Sequence, residues 1–453
     1  PVMHGTAQNP DIYFQNREAA NPLYDALPHI VQANMDKVGQ VTGRHYHLFD
    51  YVGAPDAERV IVTMASSCDV VEEVVRYLVD QGEKVGLVKV RLCRPFSAEH
   101  LMAVLPATTK VVSALDRTKE PGSQGEPLYQ DVCMAVLDSG RAIKVYGGRY
   151  GLSSKDFSPT MAKAVFDNMA AESPKKRFTV GITDDVTHTS LELGETIYTF
   201  PGNATQCIFY GFGSDGTVGA NKQAARIVGD YAGKFAQDYA WFDSRKSGGL
   251  TISYLRFADA PIHSPYLINQ ADYVACHKDI YASRRRYHLL DELKQGGIFV
   301  LNSPWETVQE LEAHVPADLL ADIANKQAKF YNINASQLAA DCGLGARINM
   351  IMQVVFFKLT GVMDFDEAIA HLKDDIAVMY ASKGADVVKR DIEAVDKTLS
   401  CLKQIDYPAS WAHLADTGAQ TSMDALGEHE SAYIENVFKP MEELKGNDLP
   451  VSK

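Results

Sequence analysis

The chain has 453 residues, 46% hydrophobic and 23% charged, with 44 basic and 58 acidic side chains for a formal net charge of −14. That length predicts two or three domains, and that charge excludes non-specific nucleic-acid binding, which needs a basic surface. No window approaches a membrane-spanning run of apolar residues, and the most apolar predicted helix, Ile348 to Leu359, is broken by Asn349, Gln353 and Lys358.

The N-terminus opens at Pro1 with a polar stretch and no signal peptide. A chain starting at Pro is expected to have been processed, tagged or cut from a longer one. Residues 1–58 hold one amphipathic stretch, Leu27 to Val41, and few strand patterns. They do not make a complete domain and are expected to lean on another part of the molecule.

From Arg59 the pattern becomes regular. "RVIVTMA", "KVGLVKVRL", "TKVVSALD" and "AIKVYGG" read as strands, and "DVVEEVVRYLVDQG", "AEHLMAVLP" and "LYQDVCMAVLDSG" as the helices between them. A further helix is expected over Pro159 to Met169, followed by the linker "AAESPKKR". Strands alternating with helices predict a mostly parallel sheet covered on both faces.

A second α/β series starts with "CIFYGFGSDGTVGANK", a strand, a glycine-dense turn and a helix over Asn221 to Tyr231. "YAWFDSRKSG", "LTISYLRF", "DYVACH" and "GGIFVLN" read as further strands. Beyond Pro304 the pattern is helical almost throughout to about Cys401.

Within the turn, Gly211, Gly213 and Gly216 fit G-x-G-x-x-G. Following a strand and opening a helix, such glycines allow close backbone approach, and the helix offers free N–H groups to an anion. Ser214 and Thr217 add hydroxyls, whereas Asp215 is an awkward charge beside an anion unless it caps the helix. The next strand ends in Asp243, Arg245 and Lys246, cations that suit an extra phosphate on the ribose of NADP or of coenzyme A. At "CGLGARINMIMQ", Arg347 and Asn349 open a helix that could supply the other wall of a cleft. A strand–helix connector without a ligand is the plain alternative.

The seven cysteines are scattered with no C-x2-C pair, which leaves out the local signatures of zinc ribbons, dithiol redox sites and ferredoxin clusters. They read as single thiols of a reducing compartment. His45 and His47 read as a surface strand pair, and no metal site and no catalytic residue can be named from these patterns.

The segments "VMHGTAQNPDIYFQNREAANPLY", "YGFGSDGTVGANK", "DSRKSGGLTISYLRF", "PIHSPYLI" and "GGIFVLNSPWE" closely resemble the pyruvate:ferredoxin (flavodoxin) oxidoreductases along essentially the whole chain. The resemblance implies α/β domains in this order: the end of a thiamine pyrimidine-side domain and connector over 1–58, a transketolase-C-terminal-like domain over 59–170, a Rossmann-like gamma-type domain with a helical C-terminal half over 171–410, and the start of a linker domain over 411–453. It implies that Ser214, Asp215, Gly216, Thr217 and Val218 hold the pyrophosphate of coenzyme A by backbone N–H groups, that Lys246 meets a phosphate, and that Arg347 and Asn349 face it.

It also implies an internal piece of a longer enzyme. In that enzyme thiamine diphosphate, Mg2+ and iron–sulfur (4Fe-4S) clusters lie outside this chain and are not held by its cysteines. Pyruvate and coenzyme A are the implied substrates, ferredoxin or flavodoxin the implied acceptor, and a homodimer the implied assembly. The cytoplasm, or a hydrogenosome-like organelle of an anaerobic eukaryote, is the implied location. An NADP-binding oxidoreductase domain and a non-catalytic scaffold stay open as alternatives.

Overall fold

The computed structural model describes residues 7–200, 202–213, 215–243, 248–283, 287–414 and 428–453. The chain divides into two compact units. The first takes Pro1–Phe200 with His263–Tyr266 and Pro450–Ser452, and the second takes Pro201–Ile262 with Leu267–Leu449.

In the first unit six strands, β1 (Phe49–Gly53), β2 (Arg59–Met64), β3 (Val85–Val90), β4 (Val111–Asp116), β5 (Lys144–Arg149) and β6 (Arg177–Thr179), form one sheet in the order β1-β3-β2-β4-β5-β6. All neighbours are parallel except β1 and β3. Because helices cover both faces, the strands are apolar runs rather than alternations. Ile61 faces a core built with Val71, Val74 and Phe166, while Val60 and Val62 face another with Leu101 and Val132.

Two features of this unit lie outside the sequence pattern. The N-terminal stretch forms helices Pro10–Glu18 and Asn21–Thr42, of which only Gly39 is buried, and then contributes β1 to the sheet. The chain after the helix Pro159–Ala170 also stays in this unit, where β6 pairs with β5. Glu73, on the helix Ser67–Asp80, accepts hydrogen bonds from the hydroxyls of Thr199 and Tyr266, each at 2.8 Å, and from Ser264. Those bonds seat the segment His263–Tyr266 in the first unit.

The second unit is built on seven strands: β7 (Thr205–Phe212), β8 (Phe235–Phe242), β9 (Leu250–Ala258), β10 (Ala271–Cys276), β11 (Leu293–Asn302), β12 (Lys329–Ile333) and β13 (Leu402–Gln404). Their order is β13-β12-β11-β10-β7-β9-β8, with β7, β10, β11 and β12 parallel to their neighbours in that run. β9 runs antiparallel to both β7 and β8, and β13 antiparallel to β12. The stretch beyond Pro304 is therefore not helical throughout. β12 extends the parallel run between the helices Ala317–Asn325 and Ala335–Asp341.

Successive β7 residues face opposite cores. Cys207 and Phe209 pack with the helices Thr217–Tyr231 and Asn349–Thr360, whereas Ile208 and Tyr210 join Leu311 and Trp411. The helix Asn349–Thr360 is apolar on nearly every side because it is buried between other helices and the sheet. No described helix is long and apolar enough to cross a membrane.

Candidate ligand-binding turn

After β7 the chain passes through the helix Thr217–Tyr231 to β8 and β9 on one side, then returns to β10 on the other. The order of strands thus switches between β7 and β10. In open α/β sheets the crevice beyond the carboxyl ends of the strands at such a switch is the preferred ligand position. The glycine turn occupies it.

Each glycine of the turn has a separate local reason. A Cβ on Gly211 would lie 2.7 Å from Thr217 Cβ. A Cβ on Gly213 would lie 3.2 Å from the Gly249 carbonyl oxygen. Gly216 has φ +91°, and a Cβ there would come 3.2 Å from Asn349 Cγ. Gly216→Ala is expected to cost roughly 1–2 kcal/mol, the penalty of a left-handed backbone for an L-residue, read as a lowered melting temperature. An unchanged melting temperature would show that the turn relaxes freely.

Asp215 accounts for its own presence. One carboxylate oxygen accepts the Thr217 amide at 2.7 Å and the other accepts the Phe212 amide at 2.7 Å. The carboxylate therefore ties the strand end to the helix start. The Asp215 amide donates to Phe212 O at 2.9 Å, and the Gly213 amide donates to Gly249 O at 2.7 Å.

The expected cradle changes accordingly. Ser214 lies outside the described residues, as do Arg245 and Lys246. The amides of Asp215 and Thr217 are engaged within the chain and are not presented to a pyrophosphate. Val218 and Gly219 are left as first-turn donors that have no acceptor among the described residues. Lys222 is exposed.

Asn349 does reach the turn, with its amide group against Gly216. Arg347 is committed elsewhere. Its guanidinium lies 3.5 Å from the buried Asp391 carboxylate and over the Tyr380 ring at 5.4 Å, and its Nε donates to Leu344 O. It anchors the helix Ala385–Cys401 rather than forming a wall of the turn.

Below the turn lies a polar layer that the motif did not announce. His277, the residue after β10, is 3% exposed, and its Nδ1 lies 2.9 Å from the Thr217 hydroxyl. Burial pushes the imidazole down to about 4, with the nearby Asp215 charge opposing that shift. The ring is therefore neutral near pH 7, and its Nε2 has no partner among the described residues. Asn302, at the end of β11, donates to His277 O and accepts from the Ala335 amide, both at 2.9 Å. The sequence shows "DYVACH" as a strand ending in a histidine, and only the pairing of β10 with β7 brings that histidine beneath the turn.

Comparison with known proteins follows the same two units. A family model described as pyruvate ferredoxin/flavodoxin oxidoreductase matches residues 206–401, and one described as pyruvate:ferredoxin oxidoreductase core domain II matches residues 57–161. The chain is 57% identical along its whole length to the pyruvate:ferredoxin oxidoreductase of Moorella thermoacetica. It is 48% identical, again along its whole length, to a pyruvate-flavodoxin oxidoreductase of Klebsiella pneumoniae. It spans 38% of the length of each of these relatives. A solved pyruvate oxidoreductase subunit, PORC from Thermotoga maritima, overlaps 44% of this chain and 97% of its own at 16% identity, with a TM-score of 0.35. That overlap is too loose to assign any residue. The two family models and the end-to-end relatives place this chain in the pyruvate:ferredoxin/flavodoxin oxidoreductase family.

Proposed function

We propose that the chain is the central portion of a longer pyruvate:ferredoxin/flavodoxin oxidoreductase, and that its second unit receives coenzyme A at the switch-point turn. In this reading the longer protein cleaves pyruvate, releases carbon dioxide, transfers the acetyl group to coenzyme A and passes the electrons to ferredoxin or flavodoxin. Thiamine diphosphate with Mg2+ supplies the electron sink for decarboxylation and 4Fe-4S clusters carry the electrons, and both are assigned to the remainder of that protein. Among the described residues no three His, Cys, Asp or Glu side chains converge as metal ligands. The parent is assigned as a cytoplasmic or organellar homodimer.

The observation that carries the coenzyme A reading is the position of the turn. It lies at the carboxyl end of β7, beside the β7/β10 switch, and opens directly into a helix of 15 residues. Donors in the first turn of that helix face anions favourably. Lys246, close in sequence to Gly248 and Gly249, is the proposed phosphate contact, and Asn349 the proposed opposite wall.

Titration of the 453-residue chain with coenzyme A tests this. Saturable binding is expected, and Lys246→Glu should weaken it about tenfold to a hundredfold, the worth of a charge-assisted contact. Dephospho-coenzyme A tells which phosphate is involved, because a Lys246 contact to the 3′-phosphate makes the substitution matter less for that ligand. A second reading, in which the glycines serve architecture only, is favoured by the engaged amides of Gly213, Asp215 and Thr217. A folded chain without saturable coenzyme A binding would leave that reading standing.

A further inference from the structure

We propose that a cavity on the second sheet, on the face opposite the helix Thr217–Tyr231, binds a small organic cation with a flat apolar body. The cavity belongs wholly to the second unit and is independent of the coenzyme A reading.

Its floor follows from strand register. Tyr210 of β7 pairs with Ile252 of β9, and Ile252 with Trp241 of β8, so the three form one row across the sheet. Tyr254 stands two residues along β9, on the same face. These residues line a cavity of about 460 Å3, a size usual for small-molecule sites and far above the voids of a packed interior. Tyr287 adds an aromatic wall, and the segment Met441–Asn447 supplies another. That segment is held in a turn by the Lys445 amide, which donates to Pro440 O at 2.7 Å, and is pinned by the ion pair of Lys445 with Asp291.

The charges of the lining are unbalanced. Lys445 neutralises Asp291, and Glu443 lies 3.9 Å from His288 Nε2. Glu292 is left over, because its carboxyl meets its own amide and no other hydrogen-bond donor among the described residues. Burial, with the Asp291 charge adding to it, pushes that carboxyl up, as expected of a charge short of partners. Tyr210 is 6% exposed, and its hydroxyl likewise has no hydrogen-bond partner among the described residues. A cation entering the cavity pairs with Glu292 while its flat body lies on the aromatic row, where the indole of Trp241 offers the strongest cation–π face. An anion would face Glu292 and Glu443, and a neutral ring would leave Glu292 unpaired.

The test titrates the 453-residue chain calorimetrically with three probes of one shape, benzamidine, benzamide and benzoate. Benzamidine should bind saturably, with a dissociation constant of about 1 mM or tighter for so small a ligand. Benzamide should bind about tenfold more weakly, and benzoate should show no saturable binding. Glu292→Gln should weaken benzamidine about tenfold and leave benzamide nearly unchanged. Trp241→Leu keeps an apolar floor without the indole face, and should weaken benzamidine about threefold. Melting temperatures establish that each variant is folded, and the wild-type probe series with Trp241→Leu decides if Glu292→Gln is not.

A folded wild type without saturable benzamidine binding would overturn the proposal. So would benzamide that binds as tightly as benzamidine, or folded variants that both bind benzamidine as wild type does.

Discussion

Trp411→Ala should destabilise the second unit by about 3–5 kcal/mol, the usual cost of truncating a buried Trp. Trp411 is 1% exposed, stacked on Tyr407 with 9° between the ring planes, and its indole N–H donates to Glu312 at 2.8 Å. Its apolar neighbours include Leu311, Leu320 and Ile405. Truncation removes the stack and leaves a large cavity between the short helix Ala409–His413 and Ala317–Asn325. For a unit of this size the melting temperature should fall by roughly 6–20 °C.

Trp411→Phe keeps one ring of the stack but loses the N–H donor and the volume of the indole's second ring, so its cost should be smaller than that of Trp411→Ala, at about 1–2 kcal/mol. Phe438, 49% exposed, provides the contrast: Phe438→Ala should stay within about 0.5 kcal/mol. A Trp411→Ala loss as small as that of Phe438→Ala would mean that residue 411 is not part of this core. The point matters because 411–453 reads from sequence as the start of another domain, whereas Trp411 is buried against elements on both sides of β12.

Trp411 also shows where sequence patterning stops. β2, β3 and β4 were legible because a parallel strand buried on both faces is a continuous apolar run bounded by turn residues. β12, with the sequence KFYNI, is five residues long and lies between two helical patterns. Only pairing with β11, some thirty residues earlier in register, makes it a strand. β1 was missed for a related reason, since FDYVG is short and pairs antiparallel at the edge of its sheet.

The turn was legible as a turn and as a helix start. What fills it was not, because the partners are set by folding. Gly213 is matched to Gly249, Thr217 to His277 and Arg347 to Asp391, pairs separated by 36, 60 and 44 residues in sequence. Asp215 is the exception that local chemistry could reach. Its carboxylate lies two residues from the Thr217 amide and three from the Phe212 amide. An aspartate in a tight turn is suited to accept such amides.

The second large effect is a dependence of the second unit's stability on pH, carried by His277. Its imidazole is lowered from an ordinary value of 6.5 to about 4 in the folded chain because burial disfavours the cation. The unfolded chain therefore binds the proton more readily than the folded one. The resulting stability is fully present above pH 6.5 and is lost as pH falls toward 4, by about 3 kcal/mol in all.

Two other groups of the unit act in the opposite sense. Burial raises the carboxyls of Glu292 and Asp322, so their contributions grow as pH falls, and the wild-type curve alone mixes both signs. The difference between wild type and His277→Gln separates them. The variant has no titrating ring and loses the ring's fit against Phe209, whose centroid lies 6.0 Å away. It should be less stable than wild type at pH 7.5, and the gap should close by about 3 kcal/mol as pH falls to 4. Paired denaturant melts at half-unit pH steps measure it. A gap that stays constant over that range would mean the imidazole protonates as easily inside the fold as outside, and that the layer beneath the turn is open to water.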